Sequence, residues 1–133
     1  MITRTIWCCA CLKDVEARLT DGREIYPHRP DLADHPRWKC DTCGNHVGCH
    51  NQAKIRNPRP LGNIPTPELS NARRHIHAIL DPLWQSKRMT RSEVYTAISN
   101  RLGYRYHTAE IKTLYEARCI YFIVKELSRE QLA

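Results

Sequence analysis

The chain has 133 residues and a net charge of +7, a length that fits one domain or two small lobes. Its seven cysteines cannot all pair within one chain, which argues against a disulfide framework. The first seven residues lack the apolar core of a signal peptide, and no stretch could span a bilayer. These features exclude an integral membrane protein and predict a cytoplasmic one.

The positive charge is concentrated in the middle of the chain. Residues 1–50 contain seven Lys/Arg and seven Asp/Glu, whereas residues 51–91 contain eight Lys/Arg and only two Asp/Glu. Such a basic segment favours binding to phosphates or to an acidic partner. The alternative is an ordinary solvated helix face, which many charge runs are.

Two cysteine pairs with the same spacing flank a single insert. Cys8 and Cys11 form one C-x2-C pair, and Cys40 and Cys43 form the other. Each pair directs two sulfurs to one point, and two pairs supply the four ligands of a closed tetrahedral zinc site. Gly44 follows the second pair, where such a turn often needs a positive φ. The pattern predicts a zinc ribbon that binds Zn2+, with a redox dithiol as the alternative.

The insert between the pairs contains a hairpin signal. Residues 12–26 alternate apolar and polar side chains, and Asp21-Gly22 is a turn sequence between β-compatible runs. The sequence therefore predicts a hairpin that turns at Asp21-Gly22 and belongs to a zinc-ribbon lobe over residues 1–50. Trp38, just before the second cysteine pair, is predicted to be part of the core or to pack on the zinc turn.

The residues after the second pair have two interpretations. Cys49 and His50 are metal ligands or nucleophile and base candidates by residue type. Four thiolates already close the first site, so these two residues would belong to a second functional site. The alternative is a strand edge with a buried cysteine and a polar histidine.

Residues 51–65 form a basic, proline-rich segment that predicts a linker, and residues 66–133 predict a helical lobe. The first helix is expected to begin at Thr66-Pro67 and to kink or restart at Pro82, with Asp81 as the cap of the restart. The second helix is expected to begin at a capping box formed by Thr90 and Glu93 and to end at Gly103.

The third helix is expected to run from near Thr108 to about Leu127. Its apolar stripe is predicted to face inward and to consist of Ile111, Leu114, Tyr115, Phe122 and Ile123, with Cys119 buried among them. Residues 120–124 would also suit a strand by propensity.

On the first helix, Arg73, His77 and Asp81 are spaced at i, i+4 and i+8 and so lie along one border of its apolar stripe. They could form a hydrogen-bonded site or only weak surface pairs. If this helix packs on the ribbon, His77 would share a polar cleft with His50, with Arg73 or Asp81 as partner.

Several segments together resemble the small zinc-finger-containing domain family of phages and prophages. The segments are residues 21–32, 38–43 and 47–50, followed by Pro60-Leu61-Gly62, Arg73, His77, residues 81–84, Arg91 with Tyr95, His107 and Cys119. The resemblance implies zinc and a bacterial or phage origin, and supplies no reaction. Similar sequences often have proline at the position of Cys9, which leaves open whether Cys8 or Cys9 is the ligand.

The predicted fold is α+β, with an N-terminal zinc ribbon packed on a small C-terminal three-helix lobe. The leading hypothesis is a phage-encoded, non-enzymatic module in the cytoplasm of a bacterial host. It would bind DNA, RNA or a host nucleic-acid-processing complex. Its candidate phosphate contacts are Lys54, Arg56, Arg59, Arg73, Arg74, Lys87 and Arg88.

Two further classes of function remain open at this point. One is a nuclease-like hydrolase with Cys49, His50, His77 and His107 as candidate catalytic residues. No H-N-H spacing or carboxylate cluster for Mg2+ supports it. The other is a protein that inhibits a host factor by placing its basic face in an acidic groove.

Overall fold

The computed structural model describes residues 1–50 and 56–132. The chain divides into two compact units, Met1–Pro67 and Glu68–Ala133. Residues 56–65, which the sequence predicted to be part of a linker, belong to the first unit. The candidate phosphate contact Lys54 lies outside the described residues.

The first unit is built on a four-stranded antiparallel sheet. Its strands are β1 (Thr3–Cys8), β2 (Lys13–Asp21), β3 (Pro36–Lys39) and β4 (His46–Gly48). They lie in the order β1-β2-β3-β4, so each strand pairs with its neighbour in sequence. The sheet is therefore a simple meander, and its two outer hairpins each close on a cysteine-containing turn.

The two cysteine turns have the same backbone form. In the first, the Leu12 N–H donates to the Cys8 carbonyl at 2.9 Å, and in the second the Gly44 N–H donates to the Cys40 carbonyl at 2.7 Å. Gly44 has φ 84°, which confirms the predicted positive φ, and Leu12 at the equivalent position has φ 57°. A non-glycine residue in this region carries strain of roughly 1–2 kcal/mol, so the first turn is held by contacts around it.

The predicted hairpin turn at Asp21-Gly22 is wrong. Strand β2 instead leads into α1 (Gly22–Ile25), a single helical turn. The Asp21 carboxylate accepts a hydrogen bond from the Arg23 N–H at 3.0 Å and so caps this turn. Gly22 is needed for close packing, because a Cβ there would lie 1.8 Å from the Leu32 carbonyl oxygen. Asp21 therefore caps the start of α1, and Gly22 allows the close contact with Leu32.

Trp38 lies at the centre of the first unit's core. It is 0% exposed, and its indole N–H donates to the Pro58 carbonyl at 2.9 Å. Ile64 is also fully buried and forms a parallel bridge with Cys8. The rest of this core consists of Ile6, Cys8, Ala17, Cys40, Val47 and Cys49. The segment after residue 55 thus completes the ribbon's core.

The second unit contains three helices. They are α2 (Pro67–Gln85), α3 (Arg91–Leu102) and α4 (Leu114–Leu132). Their buried side chains are Leu69, Ile76, Leu80, Leu83, Val94, Ile98, Ala117, Ile120, Val124 and Leu127. A sheet with two cysteine turns followed by three helices confirms the predicted α+β fold class.

The ends of α3 match the prediction and the interior of α2 does not. Thr90 and Glu93 form the capping box, and Gly103 ends α3 with φ 85°. Helix α2 continues through Pro82 without a restart. Asp81 is therefore an interior residue of α2, where its carboxylate accepts side-chain hydrogen bonds.

Helix α4 begins six residues later than predicted. Thr108 starts a short 3-10 turn, and the Thr113 hydroxyl accepts from the Glu116 N–H at 3.0 Å at the true start. The predicted stripe is largely wrong, because Tyr115 and Phe122 are 76% and 69% exposed. Residues 120–124 are all apolar and so lie on several faces of the helix, which hides the true inward face of Ala117, Ile120, Val124 and Leu127.

The predicted burial of Leu114 and Cys119 also differs from the structure. Leu114 is exposed and Cys119 is half-buried, whereas Ile111 is buried as predicted. None of the described helices is both long enough and apolar enough to cross a membrane.

Glu24 connects α1 to the sheet and provides a test of the ribbon's surface network. Its carboxylate lies 2.8 Å from Arg18 Nη2 and 2.7 Å from Lys39 Nζ, and Thr20 donates to it at 2.7 Å. The hydrogen bonds from Arg18 and Lys39 lower the pKa of Glu24. We expect Glu24→Gln to lower the free energy of unfolding by about 1 kcal/mol in urea titrations of the zinc-loaded protein.

The expected loss does not change between about pH 6 and pH 8. A carboxyl whose pKa is lowered on folding contributes its full stabilisation above the unfolded pKa of about 4.3. Asp14→Asn is the control, because it removes the same charge from a β2 residue that has no salt bridge within the described ranges. Equal losses for the two variants would show that the Glu24 network does not stabilise the ribbon.

Candidate metal centre

The two cysteine turns bring four sulfur atoms together at one end of the sheet. Cys8 is the last residue of β1, and Cys40 directly follows β3. Cys8 Sγ lies 3.5 Å from Cys43 Sγ, and Cys11 Sγ lies 3.7 Å from Cys40 Sγ. All four sulfurs lie within 4.8 Å of one another. The cluster therefore joins the β1-β2 and β3-β4 hairpins.

These separations fit a tetrahedral metal ion. A zinc–sulfur distance of about 2.3 Å places neighbouring sulfurs about 3.8 Å apart, close to the two measured separations. Cys8 and Cys40 are buried, Cys11 is half-buried and Cys43 is exposed. A closed set of four sulfurs with one solvent-facing member is typical of a structural site, since no position remains for a substrate.

The electrostatics of the thiols also favour a cation at the centre. Burial, together with the neighbouring sulfurs of Cys40 and Cys8, raises the pKa of Cys11 to about 12. Burial also raises the pKa of Cys40, but the backbone N–H groups of Cys43 and Thr42 lower it more, to a net value of about 7. Several thiolates so close together repel one another, and a dication between them would remove that cost.

A family model for a zinc-finger-containing domain matches residues 4–130. The chain belongs to this family. No curated protein matches the chain, and no solved structure matches it. The family description and the four-cysteine cluster agree in supporting a zinc-binding module.

The position of Cys9 in this zinc-finger-containing domain answers the question of the first ligand. Cys9 is buried, and its backbone N–H donates to the Ile64 carbonyl at 2.9 Å. The four-sulfur cluster contains Cys8 and does not contain Cys9. This placement favours Cys8 with Cys11 as the ligand pair of the first turn, at the same spacing as Cys40 with Cys43.

Cys49 and His50 differ in exposure. Cys49 is 1% exposed and bridges to Pro60, and burial raises the pKa of its thiol. His50 is exposed, and its backbone N–H donates to the Arg59 carbonyl at 3.0 Å. A buried thiol with a raised pKa is a poor nucleophile. The arrangement matches the strand-edge interpretation of these two residues.

His77 pairs with Asp81 on helix α2. His77 Nδ1 lies 3.1 Å from Asp81 Oδ1, and the Trp84 indole N–H donates to the same oxygen at 3.1 Å. Arg73 donates to the Ile111 carbonyl at 2.6 Å. His77 and His50 belong to different units, and the shared cleft predicted for them stays a prediction.

The hydrolase candidates do not belong to the metal-binding cluster. Within residues 1–50 and 56–132, the four cysteines are the only group of three or more metal-ligand residues close enough to hold an ion. His107, the last of the candidates, is exposed and lines a groove beside α3. A catalytic role for Cys49, His50, His77 or His107 stays a prediction.

The sequence analysis named Arg91, Tyr95 and His107 but did not predict this groove. Arg91, Tyr104 and Arg105 line it together with His107. The run Tyr104-Arg105-Tyr106-His107 alternates aromatic and basic side chains, a pattern typical of nucleic-acid-binding surfaces. The alternation was the sequence signal that could have indicated a binding surface here. The net charge of the surrounding segment gave no such indication.

The metal site makes a direct prediction about two buried cysteines, Cys40 and Cys9. Cys40→Ser should abolish stoichiometric zinc and unfold the ribbon, because ligation free energy is folding free energy in such sites. Cys9→Ala removes a buried cysteine next to Cys8 and should retain one zinc per chain. Elemental analysis of protein purified under reducing conditions measures both. Zinc loss in the Cys9 variant, or full zinc in the Cys40 variant, would contradict the assigned ligand set.

Proposed function

We propose that this chain is a zinc-ribbon module that binds nucleic acid through basic side chains outside the ribbon sheet. The zinc ion would be held by Cys8, Cys11, Cys40 and Cys43 and would have a structural role. The proposal includes the bacterial or phage setting that the sequence resemblance implies. Its main support is the unequal pairing of basic side chains along the chain.

Four of the seven Lys/Arg in residues 1–50 have carboxylate partners. Arg18 pairs with Glu24 and Asp41, and Lys39 pairs with Glu24. Two more exposed arginines have carboxylate partners as well, at 2.5–2.8 Å: Arg23 with Asp21 and Asp34, and Arg29 with Asp31. A cation that is already paired with a carboxylate gains less from an external phosphate, so these four side chains are poor anion ligands.

The candidate phosphate contacts have a different environment. Five of them are exposed and take part in no salt bridge within the described part of the chain: Arg56, Arg59, Arg74, Lys87 and Arg88. Arg88 donates to the Gln131 carbonyl at 3.2 Å, which leaves its charge uncompensated. Exposed guanidinium and ammonium groups without carboxylate partners favour binding to polyphosphate backbones.

Arg73 differs from the other candidates. It is half-buried and donates to the Ile111 carbonyl, so it supports the loop before α4 as well as adding positive charge. Its contribution to phosphate binding would be smaller than that of the five exposed residues.

Ionic strength separates phosphate binding from other modes of association. In fluorescence anisotropy with a labelled duplex and a labelled single strand, the affinity should fall steeply with salt through counterion release. The triple substitution Arg74→Gln, Lys87→Gln and Arg88→Gln should weaken binding to all sequences. It should also reduce the slope of log K against log salt by about 0.7–0.9 for each lost phosphate contact.

A matched control removes the same three charges from paired positions. The control triple substitution is Arg23→Gln, Arg29→Gln and Arg101→Gln, whose side chains form salt bridges in the native chain. It should leave the salt slope close to that of the native protein. If the two triple variants lower the affinity and the salt slope equally, binding depends on net charge alone and not on which cations are unpaired. If neither probe binds at low salt, the nucleic-acid proposal is wrong and an acidic protein partner becomes the hypothesis.

A further inference from the structure

A groove runs along one face of α3 in the second unit. It has a volume of about 850 Å3 and is formed by α3 side chains together with the loop of residues 103–107. Three tyrosines line it, Tyr95, Tyr104 and Tyr106. The volume lies in the range of ligand-binding pockets. The wall of α3 from Arg91 to Gly103 is roughly 18 Å long at 1.5 Å per residue.

The groove is positively charged along its rim. Arg91, Arg105 and His107 line it, and no carboxylate of the described residues does. The Arg91 guanidinium lies 5.9 Å from the Trp84 ring centre and 5.3 Å from the Tyr95 ring centre. These two rings hold the Arg91 side chain at the groove by cation–π contacts, and no carboxylate within residues 1–50 and 56–132 pairs with its N–H groups.

Tyr104 presents an aromatic face to solvent from a fixed position. It is 49% exposed, and its hydroxyl donates to the Glu116 carboxylate at 2.6 Å. This hydrogen bond and burial raise the pKa of Tyr104 to about 12, so the ring stays neutral. A ring that is anchored at its hydroxyl and open on its face can stack on a planar group without losing much conformational entropy.

The floor of the groove is rigid. The Tyr106 ring is buried with its centre 5.4 Å from that of Tyr95, and its backbone N–H donates to the Ser99 hydroxyl at 2.9 Å. Ser99 in turn donates to the Tyr95 carbonyl at 2.8 Å. The loop is therefore tied to α3, and the groove is preformed. Ser92, Thr96 and Asn100 add hydroxyl and amide groups along the same wall.

We infer that this groove binds single-stranded nucleic acid, with a base stacked on Tyr104 and neighbouring phosphates at Arg91 and Arg105. The inference rests on the proposed nucleic-acid function. It specifies where the nucleic acid binds and that the bound form is single-stranded. A duplex presents no free base faces to Tyr104, whereas a single strand does. At about 3.4 Å per stacked nucleotide, the wall of α3 spans roughly five nucleotides.

The test measures anisotropy of fluorescein-labelled 12-nucleotide oligo(U) and oligo(dU), and of a duplex of the same length, with the zinc-loaded full chain. Tyr104→Ala should weaken binding of the single strands about tenfold or more, because stacking on an aromatic side chain contributes substantially to each contact. Tyr104→Phe loses the same hydrogen bond to Glu116 but keeps the ring, and should recover most of the affinity. Oligo(dU) differs from oligo(U) in the sugar alone, so the ratio of these two affinities identifies the preferred sugar.

Tyr115→Ala is the matched control. Tyr115 is an exposed tyrosine on α4 that does not line the groove, and its removal should leave binding unchanged. If the protein binds nucleic acid but Tyr104→Ala behaves like Tyr115→Ala, the groove assignment is wrong and the proposed function stands. If neither single strands nor duplex bind, both are wrong. Equal loss in Tyr104→Ala and Tyr104→Phe would attribute the effect to the Glu116 hydrogen bond and would also overturn stacking.

Discussion

The convergence of four sulfur atoms is the constraint on which the first unit depends. Three of its four strands have six residues or fewer, and its two outer hairpins converge at one end on Cys8, Cys11, Cys40 and Cys43. Cys8 and Cys40 are also members of the core that surrounds Trp38. A unit of this size buries little apolar surface, and a structural metal would supply further stabilisation. Ligation at Cys8 and Cys11 would also fix the first turn from both sides and so offset the strained φ of Leu12.

The partners of the basic side chains underlie the functional argument. In the ribbon, Glu24 and Asp41 compensate Arg18 and Lys39, whereas Arg4 and Arg37 lie over the rings of Trp38 and Tyr26. In the helical unit, Arg101 pairs with Glu126 and Glu130, whereas Arg91 is held by aromatic rings. A cation held by aromatic rings remains available to an anion, while one bound to a carboxylate does not. The groove combines such a cation with an anchored, exposed tyrosine.

Local signals in the sequence predicted much of this structure, and long-range packing explains the failures. The C-x2-C spacings, the Thr90-Glu93 capping box and the positive φ at Gly44 each depend on a few adjacent residues. The prediction of a hairpin turn at Asp21-Gly22 was wrong because the glycine is required by close packing against the Leu32 carbonyl, which is distant in sequence. The start of α4 was missed although Thr113 and Glu116 have the spacing of a helix cap. The groove could not be predicted from the sequence. Its position depends on which face of α3 the loop of residues 103–107 leaves uncovered, and only the folded structure shows this.

Amide hydrogen exchange with and without metal tests the central claim most directly. In the zinc-loaded protein, the amides of β1 to β4 should be protected. After removal of zinc by a chelator under reducing conditions, that protection should be lost across all four strands together, and zinc addition should restore it. Loss across both hairpins at once is the result that four-sulfur ligation predicts. Protection that persists in the metal-free protein, or that is lost in only one hairpin, would contradict the account.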